Sequence, residues 1–100
     1  MEMADRNGYS KSIMATEPGK CYICRSDTET VRHEIYYGAK NRKISKANGF
    51  WLNVCPVCHR RIHETPAHGF DKLLKRKCQK NYEAFGTRDG FRMLIGRSYL

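Results

Sequence analysis

No stretch of this 100-residue chain is apolar for long enough to cross a membrane. The first eighteen residues, MEMADRNGYSKSIMATEP, lack the apolar run of a secretion signal. Both absences point to an intracellular protein. Those eighteen residues also lack sustained periodicity, so 1–18 is expected to be a disordered tail and 19–100 a single domain. Internal repeats and low-complexity blocks are missing too.

Acid is scarce. Ten Asp+Glu stand against nineteen Lys+Arg, a formal charge of +9. On so small a body this is a strong positive field, and a polyanion is the natural partner. The charge is grouped: "GAKNRKISKANG" carries Lys40, Arg42, Lys43 and Lys46 with no acid. "DKLLKRKCQK" adds Lys72, Lys75, Arg76, Lys77 and Lys80. Nucleic acid is expected ahead of a membrane surface, because no helix pairs this charge with a broad exposed apolar face.

A chain this short buries a modest core and often leans on a metal or disulfides. Five cysteines, an odd number arranged mostly as CxxC pairs, suit metal binding better than a secreted disulfide framework.

After the tail, "GKCYICRSD" reads as a tight metal knuckle. Thr30 to Tyr37, "TVRHEIYY", is rich in β-branched and aromatic residues and predicts a strand. A Gly- and Lys-rich loop follows, closed by the turn signal Asn48-Gly49. Phe50 to Val54 predicts a second strand antiparallel to the first. Pro56 suits the first turn of a helix running to about His63, and Pro66 with Gly69 break the chain again. Phe70, Leu73, Leu74, Cys78, Tyr82 and Phe85 recur at helical spacing, with lysines opposite. Thr87 and Asp89 start a last short helix carrying Phe91, Met93, Leu94 and Ile95. The sum is an α+β fold, with a core over 19–68 and a helical part over 70–98. Cys78, on an apolar stripe, is expected to be a buried, unreactive thiol.

"CPVCHRRIH", Cys55 to His63, packs two cysteines and two histidines into nine residues. A finger that binds one ion through two of each needs about a dozen residues between its pairs. Here His59 directly follows Cys58, so one ion fits all four poorly. Cys21-x2-Cys24 and Cys55-x2-Cys58, thirty residues apart, instead supply the four thiolates of a closed structural zinc site. Zinc binding is then largely folding energy. The histidines are left over. His59 and His63, four apart on a helix, share a face and can hold a second metal or grip a phosphate. The other two histidines are His33, inside the first strand, and His68, just past the helix.

The order of strand, loop, second strand and CxxCHxxxH helix resembles the HNH endonucleases, members of the ββα-metal or His-Me finger nucleases. The likeness covers Cys21 to His68, and "RHEIYYGAKNRKIS…LNVCPVCH" with the ending "GRSYL" is similar to small zinc-knuckle HNH proteins of phages and prophages. The resemblance implies a ββα-metal finger stapled by zinc and a bacterial cytoplasmic, phage- or prophage-encoded setting with phage DNA-processing proteins as partners. It also implies hydrolysis of DNA phosphodiester bonds, double-stranded DNA above all, with one divalent ion such as Mg²⁺, Mn²⁺, Ni²⁺ or Zn²⁺. His59 and His63 match the family's metal-ligand positions.

The first strand departs from the family's Asp-His or His-His pair, reading Arg32-His33-Glu34. In one register His33 is the general base and Arg32 replaces a ligand. In the other, His33 is the ligand and Glu34 takes the base position. The second register is preferred because Ile35 then falls on the apolar position. Asn48, ahead of Asn53, matches the asparagine that orients the base, and His68 is a third candidate ligand. A non-catalytic zinc-ribbon module binding nucleic acid or a phage protein would need nothing from the histidines, and a purely structural phage assembly factor would have no special use for the basic loop.

Overall fold

The computed structural model describes residues 7–64 and 69–100, so Pro66 and His68 lie outside the described residues. Six elements follow one another: β1 (Val31–Glu34), α1 (Ala39–Asn48), β2 (Trp51–Val54), α2 (Pro56–Glu64), α3 (Phe70–Glu83) and α4 (Arg88–Ile95). β1 and β2 form a two-stranded antiparallel sheet in which His33 faces Leu52 and Glu34 faces Trp51. The fold is α+β, and the strands are shorter than their apolar patterns suggest.

The basic segment between the strands is a helix, not the expected loop. Gly38 (φ 96°) precedes α1, and Gly49 (φ 75°) ends it in the left-handed region with its N–H on the Ser45 carbonyl. A Cβ at position 49 would also run into the Lys11 carbonyl, so glycine is required there twice over. Between these ends no proline interrupts, and one buried residue anchors the helix. Ser45 Oγ donates to the Tyr36 carbonyl at 2.7 Å and accepts from the Tyr36 N–H at 3.2 Å. Asn48-Gly49 is thus a helix terminus rather than a hairpin turn.

Residues 7–18 are not a frayed tail but a docked strap. The N–H groups of Ser10 and Ile13 donate to the carbonyls of Lys46 and Gly49 at 2.9 and 3.0 Å. Trp51 Nε1 donates to the Ser10 carbonyl at 2.7 Å, and the Asn53 N–H donates to Thr16 Oγ1 at 2.9 Å. The strap covers the free edge of β2, whose backbone groups would otherwise face water unpaired. Met14, 4% exposed, anchors it in the core.

That core is aromatic. Tyr36, Phe50 and Phe91 are fully buried, and Tyr36 meets the other two edge-on at ring-centroid distances of 5.5 and 5.3 Å. The Tyr36 hydroxyl donates to the Lys75 carbonyl at 2.6 Å, which ties α3 to the chain following β1. Cys78 is buried, and burial pushes its thiol up to about 12, the inert state expected of it. The apolar stripe of α3 is narrower than its spacing suggests: Leu74 is buried, whereas Leu73 and Phe85 are 61% and 69% exposed. Thr87 caps α4 by accepting from the Gly90 N–H at 2.9 Å. No helix among the described residues is long and apolar enough to cross a membrane.

Candidate metal centres

Cys21 and Cys24 sit on a turn made possible by Arg25, which takes a positive φ of 65° and donates its N–H to the Cys21 carbonyl at 3.0 Å. Cys55 joins the end of β2 to α2, and Cys58 lies in the first turn of α2. The four sulfurs lie within 4.8 Å of one another, a donor set that can hold a metal such as zinc. In each CxxC the second cysteine's N–H points at the first one's sulfur, at 3.5 Å for Cys24 to Cys21 and 3.4 Å for Cys58 to Cys55.

The charge state of this group fits a cation. Ser26, through its hydroxyl 3.0 Å from the Cys24 sulfur and then its N–H, pulls Cys24 down to about 6. Burial pushes Cys58 up, and the crowding of Cys55, Cys21 and Cys24 adds to it. Four thiols so close cannot all ionise without a positive ion to share.

The histidines form a second group. His33 projects from β1, and His59 and His63 from one face of α2. One ligand atom from each lies within 4.8 Å of the other two. Ring centroids are 5.3 Å apart for His33–His59, 5.2 Å for His33–His63 and 4.9 Å for His59–His63. Cys55 and Cys58 fix the start of α2, and buried Ile62 fixes its inner face, so the thiolate group aims the imidazoles. His33 is 1% exposed; burial first, then the charges of His59 and His63, drive it down to about 4. His59 is lowered by burial and then by His63. Neutral imidazoles with free ring nitrogens are the form that binds a cation. His33 Nε2 is buried without a hydrogen-bond partner.

The group opens on a cleft of about 450 Å³ that also touches Glu34, Tyr37, Ala39 and Arg42. Glu34 Oε1 accepts from Arg42 Nε at 2.9 Å and from the Tyr9 hydroxyl at 3.0 Å. Burial opposes its ionisation, but Arg42 and then Tyr9 hold its carboxyl below the usual range. The Arg32 guanidinium stacks on Tyr9 and Trp51, 4.3 and 4.9 Å from the ring centroids.

Asn48 does not line this cleft; its Nδ2 donates to the Ile44 carbonyl at 2.9 Å, a helix-end role. Asn53 is buried on β2 opposite Arg32, and it too lies away from the cleft. Arg42 reaches the cleft from α1, Lys40 and Lys43 are exposed, and Lys46 Nζ rests 4.9 Å from the Tyr9 ring centroid.

Two further residues of the site, Tyr37 and Tyr9, are not legible as such in the sequence. Tyr37 packs 5.3 Å from the His63 ring but lies beyond the end of β1, so strand alternation from His33 does not reach it. Nothing in the sequence links Tyr9 to Glu34. Compared with known proteins, the chain matches no family model, and no curated protein or solved structure matches it either.

Proposed function

We propose that this chain is a metal-dependent endonuclease that hydrolyses DNA phosphodiester bonds by an HNH-type, single-metal mechanism. One observation carries the reading: three imidazoles from two elements converge on one point beside a cleft, while four thiols converge separately. Three histidines with an open side are the ligand pattern of a catalytic ion, and four cysteines that of a structural one.

In this reading His33, His59 and His63 hold a divalent ion such as Mg²⁺, Mn²⁺, Ni²⁺ or Zn²⁺, and the thiolates hold structural zinc. The divalent ion supplies Lewis-acid stabilisation of charge on the scissile phosphate and the leaving oxygen. His33 is then a ligand, which favours the register with Glu34 in the base position. Its lowered pKa keeps Glu34 ionised at neutral pH and so able to accept a proton, though with little driving force. Arg42 and Tyr9 hold that carboxylate at the cleft and orient it, the task the family gives to an asparagine. The basic residues Lys40, Lys43 and Lys46 share α1 with Arg42, so a backbone drawn to this helix passes the cleft.

The test is plasmid nicking with Mg²⁺ or Mn²⁺. His59→Ala should abolish it while leaving the fold and the tightly held zinc intact. Wild-type protein that binds DNA yet cleaves with no divalent ion would leave a zinc-ribbon binding module instead.

A further inference from the structure

Two buried side-chain polar atoms lack a hydrogen-bond partner among the described residues: Nε2 of His33 and Oδ1 of Asp71. Buried orphans are rare because each forfeits hydration without compensation, so a pair in one region calls for a shared cause. Asp71 stands in the first turn of α3, the helix beyond the strands and α2. Its other oxygen, Oδ2, accepts from Lys75 Nζ at 2.9 Å, and Lys75 Nζ lies 4.3 Å from the centroid of the Tyr37 ring. Tyr37 in turn packs against His63. The Tyr37 ring also lies 6.2 Å from the His33 ring, so it borders both the histidine group and the Asp71–Lys75 pair. One carboxylate thus has Oδ2 held by a lysine, the Tyr37 hydroxyl beside it, and Oδ1 buried without a hydrogen-bond partner among the described residues.

An imidazole that holds a metal commonly gives its second ring nitrogen's proton to a carboxylate, which fixes the tautomer and the ring's orientation. Glu34 is already committed to Arg42 and Tyr9. His33 is enclosed, so its partner has to come from the protein interior. We infer that Asp71 is a positioning residue of the histidine centre, its free Oδ1 being the acceptor that fixes the His33 ring when the centre holds a divalent ion. This rests on the reading of His33, His59 and His63 as ligands. An ion at the imidazoles and a carboxylate behind them together account for both orphaned atoms. The competing role is structural: Asp71 as an i,i+4 partner of Lys75 and nothing more.

The experiment is calorimetric titration of the zinc-loaded, full-length protein with Ni²⁺, alongside thermal denaturation before nickel is added. Asp71→Asn should weaken nickel binding by about 10- to 100-fold, and Asp71→Glu should restore part of the loss. Lys75→Met, which removes the ion pair but keeps the carboxylate, should bind nickel within about threefold of wild type, whatever it does to the melting temperature. An Asp71→Asn affinity within about twofold of wild type would overturn the inference alone. So would a loss in Lys75→Met equal to that in Asp71→Asn. Wild-type protein that takes up no nickel beyond the thiolate site would overturn the ligand reading and this inference together.

Discussion

His33 and His59 lie ring to ring, 5.3 Å between centroids, although one belongs to a strand and the other to a helix that begins at a cysteine pair. The contact exists because β2 runs straight into Cys55 and Pro56, and the thiolate group then sets the direction of α2. Sulfur geometry therefore decides where the imidazoles point.

Removing the metal from the thiolates should unfold the domain. The core is small, and structural zinc supplies a large part of the folding free energy of such chains. A strong chelator should lower the melting temperature by tens of degrees, on the order of several kcal/mol at about 4–8 °C per kcal/mol. Cys58→Ser should do the same without chelator. A cooperative transition that survives unchanged in circular dichroism would contradict the structural role.

Stability should fall on the acid side of neutrality. Folded His33 is held down to about 4, against an ordinary value of 6.5. Between those values the unfolded chain binds the proton and the folded chain does not, so stability is lost as pH drops through that window. The slope from this one group is at most about 1.4 kcal/mol per pH unit, and His59 acts in the same direction. Urea midpoints of the zinc-loaded protein measured across the window should fall more steeply for wild type than for His33→Phe. Parallel lines would refute the burial of a neutral His33.

Glu34→Gln should cut the rate of DNA cleavage by about 10²- to 10⁴-fold, the usual contribution of a positioned base. Divalent-ion affinity should hardly change, since Glu34 lies outside the group of three imidazoles. A variant that cleaves at the wild-type rate would remove Glu34 from the chemistry and leave it only as the holder of Arg42.

Lys40 and Lys43 are exposed on α1, the helix whose first residue borders the cleft. Replacing both with alanine should weaken DNA binding and reduce the salt slope by about one for each phosphate that is no longer neutralised. An unaltered slope, read from fluorescence anisotropy over a range of salt, would place the DNA on another face.

The sequence is most readable where chemistry imposes spacing. Two CxxC pairs and an i,i+4 histidine pair need no tertiary information, and both groups form as the spacing implies. The segment between the strands reads as a loop because glycine and asparagine punctuate it and no broad apolar stripe runs through it, although its alanines, lysines and arginine favour a helix. Its helicity depends on Ser45 bonding both the N–H and the carbonyl of Tyr36, a contact that composition cannot show. The strap over 7–18 is hidden for a similar reason, since its anchors Ile13 and Met14 are two isolated apolar residues with no period. Asn48 looks like a motif residue and is a helix end, because an Asn-Gly pair serves a turn and a C-terminus equally well. Asp71 carries no local signal beyond its i,i+4 lysine.

Anomalous diffraction from crystals grown with zinc and then soaked in Mn²⁺ tests the division of labour between sulfur and imidazole most directly. Two separate peaks are expected: zinc among Cys21, Cys24, Cys55 and Cys58, and manganese among His33, His59 and His63. A single ion shared by cysteine and histidine, or imidazoles that stay empty at saturating manganese, would contradict it.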